Sequence, residues 1–162
     1  MQELMNTYNN NIDDIENFLV ETLFNLGNIE YSKEENFKKV FKIFPSLELI
    51  YYCNKETMTQ VSENIYRHKT VSTTVGRDRN YLLKKINLDD SNISISKPYI
   101  SSATGESCIT VAKIENDKVY LFDFNLSILL RRLGLIEINQ SFNLINKSFY
   151  FITSIIMMIL AI

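Results

Sequence analysis

The stretch SCITVAKIENDKVYLFDFN, Ser107 to Asn125, decides the fold. Two apolar runs rich in β-branched and aromatic residues flank ENDK, whose composition suits a hairpin turn. Just upstream, NISISKPYI reads as a further strand that ends at Pro98 and Tyr99. Three neighbouring strands joined locally define an antiparallel sheet. Working outward, LELIYYCNKETMTQVS reads as a strand, an Asn-Lys turn and a second strand, which brings the expected sheet to five strands. The segment from Ile65 to Asp90 is polar and mixed, with a short helix expected from Asn80 to Ile86.

Helices bracket these strands. NIDDIENFLVETLFNLG places Ile12, Ile15, Leu19, Leu23 and Leu26 at helical spacing, with Asn11 as the N-cap and Gly27 at the exit. SKEENFKKVFKIFP opens on a Ser32–Glu35 capping box, carries Phe37, Val40, Phe41 and Phe44 on one stripe, and stops at Pro45. After the sheet, SILLRRLG reads as a short helix with Arg131 and Arg132 solvating its last turn and Gly134 past its end. The expected class is α+β: a five-stranded antiparallel sheet with a long N-terminal helix, in a PAS-like arrangement.

Residues 1–137 form one domain on this reading. The polar segment 138–148 is a juxtamembrane connector, and 149–162, FYFITSIIMMILAI without a charge, is a membrane helix. At about 1.5 Å per residue the run covers about 21 Å of a hydrocarbon core about 30 Å thick. The expectation is therefore an open reading frame cut inside a membrane span, with a short tail anchor as the alternative. A buried, all-round apolar helix of a soluble fold is the third reading.

The formal net charge is −2, and no basic block stands out, which argues against a nucleic-acid surface. Cys53 and Cys108 lie in no metal-ligand spacing and are read as two buried thiols; the single histidine, His68, has no ligand neighbour. Neither a metal nor a cofactor is expected. The N-terminus lacks the basic start and apolar core of an export signal.

Three polar segments are expected to meet in such a fold: GRDRNY (76–81), KPYISSATGESCIT (97–110) and FDFNL (122–126). Arginine presents a planar fork of donors that matches a carboxylate. Aspartate fixes an ammonium, and tyrosine and serine add neutral hydrogen bonds. Arg79, Tyr81, Tyr99, Ser101, Thr104 and Asp123 are the candidate ligand-binding residues, around a cavity suited to a small zwitterion or organic acid. Each has a structural alternative. Arg77 and Arg79 would pair with Asp78, Asp89 or Asp90 on the surface, Tyr99 would be a core residue, and Asp123 would cap the closing helix in competition with Asn125. His68 is too isolated to support a nucleophile, and no carboxylate pair is arranged for acid–base work.

The order GRDRNY, KPYISSATGESCITV, YLFDFNL resembles the bacterial Cache, or PDC, sensor domain, most securely over Gly76 to Leu126. In that family an R-x-R-x-W-Y segment is followed by P-Y, T-G, I-T and a strand ending in Asp. The resemblance implies ligand sensing that feeds kinases, chemoreceptors or diguanylate cyclases. By position it makes Arg79 the ligand-gripping arginine and Asp123 the amine-binding aspartate, with Tyr99 as the tyrosine after proline. Tyr81 stands where the family has Trp, and Leu82 where it has Tyr; the second departure removes an expected hydrogen-bond donor.

The resulting expectation is a non-enzymatic, membrane-anchored sensor of a small carboxylate or amino-acid-like ligand, homodimeric, in the bacterial inner membrane. The family usually places this domain outside the membrane behind an N-terminal helix. This chain shows no such helix, so the sensor domain is expected on the cytoplasmic face. The rival readings are a degenerate module that binds no ligand and serves as a dimerisation scaffold, and the sensory half of a truncated cyclase, kinase or chemoreceptor.

Overall fold

The computed structural model describes residues 2–25, 34–84, 86 and 93–136. Helix α1 (Gln2–Asn10) and helix α2 (Ile12–Asn25) meet at Asn11, and helix α3 (Glu34–Ile43) leads into the sheet. Seven strands follow: β1 (Leu47–Asn54), β2 (Asn64–Tyr66), β3 (Thr70–Val71), β4 (Ile93–Ile95), β5 (Tyr99–Ile100), β6 (Ser107–Glu115) and β7 (Lys118–Asn125). Helix α4 (Leu126–Arg132) closes the described chain. The molecule is a mixed α+β fold, and every strand pair is antiparallel.

The strand order is β3-β2-β1-β7-β6-β4, with β5 also paired to β6. The long central strands β1, β7 and β6 alternate their side chains between two covered faces. Leu47, Ile50, Ile109, Val111, Tyr120, Phe122 and Phe124 face the helices, where Ile15, Leu19, Phe37, Phe44 and Leu129 complete the larger core. Leu49, Tyr51, Cys53, Ala112, Val119 and Leu121 face the other way, under Met58, Leu82 and Ile86. Burial on both faces explains why β6 and β7 read as nearly continuous apolar runs rather than as half-polar strands.

Seven strands replace the expected five, and the causes are local. Met58, buried, adopts φ of 51°, a left-handed conformation that breaks extended pairing. TMTQVS therefore makes only single bridges, Cys53 to Gln60 and Thr59 to Asp78, and the pairing passes to β2 and β3 in the segment read as irregular. NISISKPYI splits because the Ser96 hydroxyl takes the Thr110 N–H at 2.9 Å, and Pro98 has no N–H to offer the ladder. The Asn-Lys turn is present: Asn54 Oδ1 accepts the N–H groups of Glu56 and Thr57, each at 3.0 Å.

The helices also differ from expectation at their ends. α1 was not legible as a helix; Asn11 stands directly before α2, where its carbonyl accepts the Ile15 N–H at 3.0 Å, while its side-chain amide donates back to the Thr7 carbonyl at 2.8 Å. At α4 the cap is Asn125, which accepts the Ile128 N–H at 3.1 Å. Gly134, at φ of 71°, carries the left-handed turn after α4, and the Leu135 N–H returns to the Leu130 carbonyl at 2.9 Å. Cys53 and Cys108 are both buried, and neither forms a disulfide among the described residues. Gly27, Ser32, Asp89, Asp90, the connector 138–148 and the apolar run 149–162 lie outside the described residues. Among the described residues, no helix is long and apolar enough to cross a membrane.

Candidate functional site

The face of the sheet opposite the α-helices carries a cavity of about 220 Å³. Its floor comes from β1 and β7, and its walls from β2, β3, the Arg77–Tyr81 loop and the Tyr99–Ala103 turn. Strand parity selects the floor residues. Leu49 of β1 and Thr110 of β6 both pair with Asp123 of β7, so the three form one row across the sheet, and Tyr51 lies one step along.

Asp123 is 7 % exposed and lines the cavity. The Thr110 hydroxyl donates to Asp123 Oδ1 at 2.6 Å, and Tyr99 Oη lies 2.6 Å from the same Thr110 oxygen. Threonine has one proton to give, so Tyr99 is the donor in the second bond and the relay runs Tyr99 to Thr110 to Asp123. Burial, and then the Asp123 charge, push the Tyr99 pKa above its ordinary 10.0, which keeps that proton in place.

Arg79 lies in the same lining. It is 5 % exposed, although its neighbours Arg77, Asp78 and Asn80 are exposed. The turn explains the inversion. Gly76 takes φ of 83°, Asp78 accepts the Asn80 N–H at 2.8 Å, and the Arg79 N–H is fixed to the Met58 carbonyl at 2.9 Å. The guanidinium then lies over the Tyr51 ring, its carbon 4.8 Å from the centroid. Its Nε and Nη2 both donate to Gln60 Oε1, at 2.9 and 2.6 Å, and Nη1 donates to Tyr81 Oη at 2.9 Å.

Gln60 is held in turn. Its Nε2 faces the Ser62 carbonyl at 2.7 Å, Asn64 Oδ1 at 2.8 Å and Thr74 Oγ1 at 2.9 Å, which fixes which end of the amide meets Arg79. Tyr51 feels both charged groups. Burial foremost, then Asp123, raise its pKa, and Arg79 opposes them.

Five of the six expected residues line this one cavity: Arg79, Tyr81, Tyr99, Ser101 and Asp123. Tyr81 is 43 % exposed and forms its rim. Ser101 is buried, and its Oγ accepts the Ala103 N–H at 3.2 Å, which shapes the turn. Thr104 is not brought into this cavity: it is exposed, its Oγ1 accepts the Glu106 N–H at 3.3 Å, and it lines a separate surface pocket with Glu48, Arg67 and Lys69. Leu82 does not reach the cavity either; at 1 % exposed it belongs to the core beneath.

Three participants were missed. Gln60 stands in TMTQVS, where it passes for an outward strand residue, and Tyr51 is hidden in an aromatic pair. Thr110 had a signal: it is the polar member of the row Cys108, Thr110, Ala112 in an otherwise apolar strand. Among the described residues, no group of three or more His, Cys, Asp or Glu side chains is placed to hold a metal ion.

No protein-family model and no curated protein matches this chain. Among solved structures it is similar to the Bacillus subtilis YkuI protein, described with an EAL domain and in complex with substrate c-di-GMP and calcium. The identity is 18%, the TM-score 0.50, and the match covers 83% of this chain and 36% of that one. The chain thus spans about a third of that protein's length, and at this identity the likeness is one of fold.

Proposed function

We propose that this domain is a ligand-binding sensor module of the PAS-like, Cache type, which takes a small molecule bearing a carboxylate and, in its amino-acid-like forms, an ammonium group. The observation that carries the reading is the pairing of a buried guanidinium, Arg79, with a buried carboxylate, Asp123, in the lining of one cavity. The cavity volume of about 220 Å³ fits a molecule of amino-acid size better than a drug-sized one. An antiparallel sheet with the α-helices on one face and the cavity on the other supports the PAS-like class. The wall groups are engaged in turns and relays, which suits recognition more than turnover.

In this reading Arg79 grips the carboxylate with the edge of its fork that Gln60 leaves open. Asp123 takes the ammonium, and Tyr81 and Ser101 narrow the mouth. Occupancy would bias β2, β3 and the Arg77–Tyr81 loop between two arrangements with different affinity for the ligand. The uncharged run 149–162 would tether the domain to a bilayer, with the cavity on the cytoplasmic side and a second copy as partner.

A thermal-shift screen of free amino acids, short carboxylates and dicarboxylates tests the proposal. At least one class should raise the melting temperature of the parent protein, and both Arg79→Ala and Asp123→Asn should abolish the rise. A parent protein indifferent to every compound, or an undiminished rise in both variants, would remove the site and leave the scaffold reading.

A further inference from the structure

We infer that Gln60 sets the charge class of the ligand, by occupying with a neutral oxygen the position from which a carboxylate would neutralise Arg79. The inference rests on the proposed ligand site and goes beyond it to a residue that need not touch the ligand.

A buried guanidinium is ordinarily matched by a carboxylate, because a low-dielectric surrounding penalises unpaired charge. Arg79 departs from that pattern. Gln60 Oε1 receives both Nε–H and Nη2–H on its single oxygen, at the edge of the fork that a carboxylate would engage with two oxygens, yet brings no charge. The other hydrogen-bond acceptor is the neutral Tyr81 hydroxyl. Among the described residues no carboxylate forms an ion pair with Arg79. Gln60 cannot be an incidental neighbour either. It is 1 % exposed, and its amide nitrogen is pinned by Ser62, Asn64 and Thr74.

Two consequences follow. The fork is held in one orientation, at little entropy cost when a ligand arrives. The acceptors seated on the fork are neutral, so its open edge favours an anionic group over a neutral isostere. A glutamate in place of Gln60 would supply the missing charge from within the protein and compete with the ligand's carboxylate. Gln60 is therefore a positioning residue whose neutrality matters as much as its shape.

The test compares Gln60→Glu with Gln60→Met, which keeps the length of the side chain and removes its oxygen without adding charge. Sodium acetate, glycine and methylammonium chloride serve as probes in titrations followed by amide NMR. Gln60→Met is expected to keep acetate binding within about ten-fold of the parent, and Gln60→Glu to lose more than about thirty-fold. Equal losses in the two variants would reduce Gln60 to a packing role and overturn the inference. A second readout needs no ligand: the carboxyl introduced by Gln60→Glu, titrated by carbon NMR, should ionise well below the usual carboxylate range. An ordinary or raised value would show that Arg79 was already neutralised. If the parent binds no probe while the introduced carboxyl titrates low, the ligand reading fails and the neutral seating of Arg79 stands. Should Gln60→Glu not fold, the parent decides with the probes: acetate bound more than about ten-fold tighter than methylammonium supports the inference, and an equal or reversed preference overturns it.

Discussion

Thr110 gives its hydroxyl proton to Asp123 across the β6–β7 ladder, at 2.6 Å. The bond joins two directly paired residues on the cavity face, so the carboxylate is held by the sheet itself and not by a loop. Both side chains are buried. Replacing Thr110 by Val keeps the shape and strand preference but takes the hydroxyl donor away from a buried carboxylate. Urea unfolding should show a loss of about 2 kcal/mol, the scale for a hydrogen bond to a charged group. An unchanged midpoint would mean that Asp123 is solvated through the cavity.

The closing helix offers a cleaner separation of roles. Asp123 and Asn125 compete for its N-cap in the sequence, and the structure gives the cap to Asn125. Asn125→Ala should cost about 1 kcal/mol of folding stability without changing ligand affinity. Asp123→Asn should do the reverse. Thermal melts with and without ligand read both effects, and a swap of the two phenotypes would refute the assignment.

Arg67 binds the hairpin between β2 and β3 to the end of α3. Its guanidinium donates to the carbonyls of Phe41 at 2.6 Å, Phe44 at 3.2 Å and Pro45 at 3.2 Å, at and just past the C-terminus of α3. Arg67→Ala should lower stability by about 1 kcal/mol, with the exposed position limiting the effect. Hydrogen exchange should quicken in the last turn of α3 and in β2 together. Quickening in α3 alone would show that the hairpin stands without the clamp.

Alkaline stability follows from buried protons. Burial pushes the Cys53 thiol from 9.0 up to about 12, and burial, then Glu115, push Tyr120 from 10.0 up to about 12; Tyr51 and Tyr99 are raised as well. A group with a raised folded pKa contributes its full stabilisation below the unfolded value and loses it as pH climbs to the folded one. Melting temperature should therefore be insensitive to these groups below about pH 9 and fall between about pH 9 and 12. Tyrosinate absorbance should appear for them only as the fold is lost. Early ionisation of Tyr51, Tyr99 and Tyr120 in the folded state would contradict these shifts.

Legibility in the sequence followed the range of the forces involved. β6, β7 and their turn were readable because neighbouring residues determine them, and the stripe Phe37, Val40, Phe41, Phe44 was readable because one helix face meets one core. Five of the six candidate site residues reach the cavity because strand parity and the turn at Gly76 are local as well. Gln60 was not readable as a site residue, because its role depends on Arg79 in another loop, whereas Thr110 carried a signal as a polar residue on an apolar row opposite Asp123. Thr104 lies in the turn read from the sequence but outside this cavity, since the composition of SSATGES does not fix which of its side chains face the sheet.

The most direct measurement is a crystal structure grown with the compound that gives the largest thermal shift. The account predicts a carboxylate within about 3 Å of the Arg79 Nη atoms, Gln60 still at the opposite edge of the fork, and any ammonium of the compound at Asp123. Density for the compound anywhere outside this cavity, or a protein carboxylate seated on Arg79, would contradict it.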